Sequence, residues 1–124
     1  ILDQSPNLAH LSTNHKPLSG NLLSYIVKNM KCLESLELSG FGFDKLSSGD
    51  LETIEFDKLI NLKELDLSGC NNCNKIVGKI LNNCVSLKRI DISCCKELSD
   101  EMFRTTLINA PLEEINLSFL NVNI

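Results

Sequence analysis

Cysteine is the residue type in this 124-residue chain with the clearest capacity for chemistry. Five of the six cysteines fall within one short stretch, as Cys70 and Cys73, then Cys84, then the adjacent Cys94 and Cys95. Thiolates at such spacings can bind zinc, and an even count in a short chain also permits a disulfide framework. Because 43% of the residues are hydrophobic, the chain can form a core without disulfides. We therefore favour reduced, buried thiols.

Nucleophilic catalysis is the second kind of chemistry that the residue types permit. It needs a base near the thiol or hydroxyl, and the only two histidines are His10 and His15, far along the chain from those five cysteines. The segment from Gly40 to Gly42 lacks the spacing and the lysine of a phosphate-binding loop. The sequence also contains no motif that pairs two carboxylates. We expect that the chain is not an enzyme.

The overall charge of the chain argues against partners that are themselves negatively charged. The net charge is −4, whereas nucleic acids and anionic membrane surfaces attract basic proteins. No run of about 18 apolar residues exists that would span a bilayer. We expect neither a nucleic acid nor a membrane as a partner. Aromatic residues make up only 5% of the chain, so the core must be aliphatic.

An internal repeat organises the whole chain. Related segments begin near positions 8, 33, 62, 87 and 112, and the last four read LESLELSGF, LKELDLSGC, LKRIDISCC and LEEINLSFL. We number the residues of each segment as places one to nine. In these four segments apolar residues occupy places one, four and six and serine occupies place seven, whereas the first segment, LAHLSTNHK, is a degraded copy. Places four and six share one face of a strand. Each segment is therefore predicted to form a short strand, and successive strands are predicted to stack in parallel over one core.

The segments between the strands have helical spacing. We predict helices over 19–30, 74–83 and 99–109, where apolar residues recur on one face and Ser99 suits an N-cap. The segment 40–61 is about four residues longer than its counterparts. It is predicted to be an enlarged loop followed by a short or irregular helix, and insertions of this kind are either functional or merely tolerated.

The pattern resembles the cysteine-containing leucine-rich repeat of F-box proteins and their Amn1-like relatives. Cys70 and Cys95 stand at place nine, Cys84 precedes the next repeat by three residues, and Leu98-Ser99-Asp100-Glu101 resembles the opening of the repeat's helix. The resemblance implies an α/β leucine-rich-repeat solenoid shaped as a horseshoe arc, with parallel strands on the concave face and helices on the convex face. Residues 1–124 would form a single domain whose two ends fall within a repeat. Since the repeat explains most of the cysteines, we expect no metal site and no cofactor.

Places three, five and seven point away from the core and are predicted to line the concave face. The candidate partner-binding residues are Glu37, Ser39, Glu64, Asp66, Ser68, Arg89, Asp91, Ser93, Glu114 and Asn116. Place five stacks Glu37, Asp66 and Asp91 on adjacent strands, where like charges repel, and Arg89 beside Asp66 and Glu64 is expected to relieve part of that repulsion. This column is either a solvated surface or an acidic strip that receives a basic segment of a protein partner.

The resemblance implies a non-catalytic module for protein–protein interaction that binds its partner on the concave face. In the F-box family such repeats recognise the substrate of a Skp1–cullin ubiquitin ligase, and Skp1 would bind a region outside this chain. The alternative is a structural subunit or assembly factor of a larger complex, such as one associated with mitochondrial ATP synthase. An extracellular receptor is a third possibility, although a glycan on the sequon Asn116-Leu117-Ser118 would lie on the concave strand and block binding there. We expect an intracellular protein, cytoplasmic or nuclear, with a mitochondrial location as the alternative.

Overall fold

The computed structural model describes residues 7–13, 20–39, 52–70, 74–95, 101 and 111–117. The strands are β1 (His10–Ser12), β2 (Ser35–Glu37), β3 (Glu64–Asp66), β4 (Arg89–Asp91) and β5 (Glu114–Asn116). The helices are α1 (Gly20–Asn29), α2 (Asn74–Asn83) and a 3₁₀ turn at Phe56–Lys58. Every strand therefore runs from place three to place five of its repeat.

The five strands form one parallel sheet in the order of the sequence. Each strand pairs with the next so that equal places face each other. Place four forms one continuous row across the sheet, and its members are Leu11, Leu36, Leu65, Ile90 and Ile115. The fold is thus a mixed α/β arrangement with five parallel strands, which is compatible with leucine-rich repeats.

The core lies beneath places one, four and six. In the three central repeats all nine of these side chains are buried: Leu33, Leu36, Leu38, Leu62, Leu65, Leu67, Leu87, Ile90 and Ile92. In the two outer repeats the side chains of Leu8, Leu11, Leu112, Ile115 and Leu117 pack against the same cluster but are only partly buried. The difference follows from the stacking, because β1 and β5 each have one neighbouring strand whereas the central strands have two.

The helices complete the core. The α1 helix buries Leu23, Ile26 and Val27, and α2 buries Ile76, Val77 and Ile80, which is the spacing of one helical face. The predicted helices over 19–30 and 74–83 are thereby confirmed. Glu101 is helical, and the rest of the helix predicted over 99–109 lies outside the described residues.

The longer segment contains the short helix that the sequence predicted. Ile54, Phe56 and Leu59 are buried around the 3₁₀ turn, which contacts both α1 and α2. Phe56 is among the largest fully buried side chains, so this single turn fills space between two longer helices. The enlarged loop predicted before it falls on residues 40–51, which lie outside the described part of the chain.

A tight turn follows each of the strands β3 and β4. The Cys70 N–H donates to the Leu67 carbonyl at 3.1 Å, and the Cys95 N–H donates to the Ile92 carbonyl at 3.3 Å. Place eight of both turns has a left-handed backbone, with φ of 71° at Gly69 and 58° at Cys94. Glycine tolerates this conformation without cost, whereas a residue with a Cβ is strained by it.

Substitution at place eight tests this difference. Gly69→Ala is expected to lower the free energy of unfolding by about 1 kcal/mol, because alanine is strained at positive φ. Cys94→Gly is expected to raise it by about 0.5 kcal/mol, since relief of strain exceeds the added flexibility of the unfolded chain. Urea denaturation followed by circular dichroism measures both, and shifts of the same sign in the two variants would contradict the assignment.

Candidate functional site

The side of the sheet opposite the core carries places three and five, and we call it the strand face. Place five aligns Glu37, Asp66 and Asp91 on β2, β3 and β4, with Ser12 and Asn116 on the outer strands. Adjacent strands lie about 4.8 Å apart, so three carboxylates stand in one line. All three are half-buried. We call these three residues the acidic strip.

Place three carries a different balance of charge. Arg89 lies between Glu64 on β3 and Glu114 on β5, and it forms ion pairs with both, at 3.2 Å and 3.5 Å. Its remaining guanidinium nitrogen lies 3.9 Å from Glu113. Each such exposed pair stabilises the fold by only about 0–1 kcal/mol. The pairs nevertheless show that Arg89 offsets part of the negative charge of the two place-three carboxylates.

The expected relief of the acidic strip by Arg89 is therefore only half right. Arg89 does pair with Glu64, but its other recorded partners are Glu113 and Glu114 and not Asp66. Within the described ranges, none of the ion pairs includes a carboxylate of the acidic strip. The Arg89 guanidinium reaches the place-three carboxylates because residues at equal places are direct neighbours on adjacent strands.

The row at place two, beside the strand face, is internally paired as well. Lys63 lies 3.0 Å from the Glu34 carboxylate, and Lys88 lies 3.7 Å from that of Glu113. The hydrogen bond and the charge of Lys63 hold the pKa of Glu34 below its ordinary value. Lys63, Lys88 and Arg89 thus have carboxylate partners in places two and three, whereas among the described residues the acidic strip has no cation paired with it.

The two aspartates of the acidic strip also hold the turns that follow their strands. Asp66 Oδ1 accepts the Ser68 N–H at 2.8 Å, and Asp91 Oδ1 accepts the Ser93 N–H at 2.9 Å. The Ser93 hydroxyl donates to the same Asp91 oxygen at 2.6 Å, and Asn116 Nδ2 donates to the other oxygen at 3.4 Å. Sequence reasoning missed this structural role. The signal was present, since an aspartate two residues before a serine favours such a turn.

The predicted face encloses a shallow groove. Its volume is about 250 Å³, and it is lined by places three, four and five of β2, β3 and β4 together with Glu114 and Asn116 of β5. The place-seven serines Ser39, Ser68 and Ser93 follow the strands and are half-buried, while the fourth, Ser118, lies outside the described residues. The structure thus brings all ten predicted residues to the strand face or to the turns at its edge.

None of the five described cysteines lines this groove. Cys70, Cys84 and Cys95 are buried and Cys32 and Cys94 are exposed, and none of these five forms a disulfide; Cys73 lies outside the described residues. Among the residues that the structure describes, no group of three or more histidine, cysteine, aspartate or glutamate side chains is placed to hold a metal ion. In the same residues no helix is long and apolar enough to cross a membrane.

The arrangement on the strand face offers carboxylates to a cationic group.

Substitution can separate the negative charge of Asp66 from the hydrogen bond that its carboxylate accepts in the turn. Asp66→Ala should lower the free energy of unfolding by about 1 kcal/mol, because the Ser68 N–H loses its acceptor. Asp66→Asn removes the same charge but keeps an acceptor oxygen, so its effect should stay within about 0.5 kcal/mol. Urea denaturation of the two variants measures the difference. Equal destabilisation by both would show that the turn bond contributes nothing.

Comparison with known proteins adds a distant relative. No family model matches the chain. The chain is 32% identical over 117 residues to Receptor like protein 24 of Arabidopsis thaliana, an alignment that covers 94% of this chain and 13% of that protein. Plant receptor-like proteins are a leucine-rich-repeat family. The similarity and the parallel sheet together support leucine-rich repeats in this chain.

Proposed function

We propose that this chain is a non-catalytic leucine-rich-repeat module that binds a basic segment of a protein partner on its strand face. The observation that carries the proposal is the unequal pairing of charge. Lys63, Lys88 and Arg89 have carboxylate partners at places two and three, whereas the acidic strip has no ion pair among the described residues. The distant leucine-rich-repeat relative supports an interaction module.

A cationic partner suits the acidic strip for a simple electrostatic reason. Three carboxylates in one line repel one another, and a row of lysine or arginine side chains removes that repulsion on binding. Complementary charge also steers the encounter, which makes association fast at low salt and slower as salt rises. In a leucine-rich-repeat solenoid the strands line the concave side, so a bound segment would lie along the arc and cross successive strands.

The spacing of the acidic strip favours one conformation of that segment. Successive carboxylates are about 4.8 Å apart, which is the distance between neighbouring strands. A helix lying across the strands presents one side chain per turn, about every 5.4 Å. An extended segment presents same-side residues only about every 6.6 Å. A helix with one basic residue per turn is therefore the better match over three strands.

Binding of a defined peptide tests the proposal. The probe is an alanine-rich helical peptide with lysines at positions i, i+4 and i+7, and calorimetry at low salt measures its affinity. The test variant is Glu37→Gln, Asp66→Asn and Asp91→Asn, in which both asparagines keep the turn acceptors. We expect its affinity to fall by about fivefold to tenfold, because the peptide loses its charged partners.

The matched control removes three negative charges elsewhere. It carries Glu52→Gln, Glu55→Gln and Asp57→Asn, all at exposed residues around the 3₁₀ turn. We expect this control to bind the peptide as the unmodified chain does. An equal loss of affinity in both variants would show that net charge alone attracts the peptide, and the proposal would be wrong.

The finer roles stay predictions that need the full-length protein. A substrate-recognition role in an F-box ligase predicts that Skp1 co-purifies with it, and the absence of Skp1 would contradict that role. A role as a structural subunit or assembly factor predicts stoichiometric co-fractionation with a large complex instead. The peptide-binding experiment is independent of both of these roles, because it concerns the strand face alone.

A further inference from the structure

The turns after β3 and β4 share an arrangement that the proposed function does not use. At place nine each turn ends in a buried thiol, and that thiol donates to a carbonyl of the preceding repeat. Cys70 Sγ lies 3.1 Å from the Leu38 oxygen, and Cys95 Sγ lies 3.0 Å from the Leu67 oxygen. The Leu67 carbonyl also accepts the Cys70 N–H. The two turns are therefore connected in series through one carbonyl.

The same turns begin at the acidic strip. Asp66 and Cys70 are the two ends of one turn, and Asp91 and Cys95 are the two ends of the next. At the start of each turn the carboxylate accepts an N–H, from Ser68 or from Ser93. At its end the sulfur donates from within the core, where Cys70 is 0% and Cys95 5% exposed. A change at the sulfur must therefore be accommodated within the few residues that position the carboxylate.

We propose that Cys70 and Cys95 make the acidic strip sensitive to thiol oxidation, through mixed disulfides formed with a low-molecular-weight disulfide such as oxidised glutathione. Any effect of this oxidation on partner binding rests on the proposed function. The structural change itself does not, because it concerns the turns whether or not a partner binds there.

The exchange step requires a transient opening of the turn, since both thiols are buried. The opened thiol loses its proton, and the thiolate attacks one sulfur of oxidised glutathione. A bond forms between Sγ and that sulfur while the disulfide bond of glutathione breaks. The second glutathione leaves as a thiolate and takes up a proton. The cysteine is thus oxidised and one glutathione is reduced.

The adduct prevents the turn from closing again. The sulfur no longer carries the hydrogen that it donates to Leu38 or Leu67. The close packing around a fully buried side chain also leaves no room for a glutathione. The turn therefore stays open, and the N–H groups of Ser68 and Ser93 lose their fixed acceptors. Reduced glutathione reverses the exchange and restores the turn.

The remaining cysteines provide internal references. Cys84 is also buried and donates to the Phe56 carbonyl at 3.5 Å, but it follows α2 rather than a strand. Burial, with a smaller contribution from the charge of Asp57, raises the pKa of the Cys84 thiol to about 12. Cys32 and Cys94 are exposed and react without any opening.

The test uses the 124-residue chain carrying Cys32→Ser, Cys73→Ser and Cys94→Gly, in which only the three buried thiols remain. It is incubated with oxidised glutathione, and peptide mass mapping locates the adducts. Hydrogen exchange then reports on the N–H groups of Ser68 and Ser93. We expect adducts at Cys70 and Cys95, and amide exchange at Ser68 and Ser93 that is about tenfold faster or more, as loss of these hydrogen bonds implies. Reduced glutathione should restore slow exchange.

A second variant adds Cys70→Ser and Cys95→Ser and keeps Cys84. Serine retains a donor but forms no mixed disulfide, so oxidised glutathione should leave Ser68 and Ser93 protected. Should this variant not fold, the modified and unmodified fractions of the first variant supply the same comparison. Adducts without faster exchange at Ser68 and Ser93 would overturn the proposal, as would a failure of Cys70 and Cys95 to react in excess oxidised glutathione. Unchanged binding of the lysine peptide by the adduct, beside faster exchange, would count against the proposed function only.

Discussion

The row of aliphatic side chains at place four sets the alignment of the five strands, and the rest of the surface depends on it. This row runs from Leu11 through Leu65 to Ile115, and its three central members are buried. Sliding one strand by one residue would expose its place-four side chain and bury the charged neighbours at places three and five. Burial of one large apolar side chain contributes about 1.5–3 kcal/mol. The core therefore keeps equal places side by side.

Charge on the strand face is a consequence of that alignment. Places three and five must stand in columns once place four is fixed, so the residue types at those places decide which charges become neighbours. At place three the result is favourable, because Arg89 lies between Glu64 and Glu114. At place five the result is three adjacent carboxylates. The hydrogen bonds that Asp66 and Asp91 accept from their turns offset part of the repulsion.

Much of the fold could be predicted from the sequence because the spacing of apolar residues recurs from one repeat to the next. The spacing of Leu33, Leu36 and Leu38, repeated in the three later segments, predicted the strands and their order, and the apolar faces at 19–30 and 74–83 predicted the helices. Which carboxylates Arg89 would pair with could not be predicted, since a long side chain reaches several neighbours and only its conformation decides between them. The donor role of the thiols at place nine was likewise hidden, because the pattern indicates burial but not which carbonyl lies opposite.

The central claim is that one shared core, held by the place-four row, keeps the strands aligned. Leu65→Ala tests it most directly, because Leu65 lies in the middle of the row and is 2% exposed. Urea denaturation should give a single transition with a free energy of unfolding lower by roughly 2–5 kcal/mol, as for other large cavities in cores. The control is Ile60→Ala, at a residue that is 54% exposed, where the change should stay within about 0.5 kcal/mol. A loss for Leu65→Ala as small as that of the control would contradict the account.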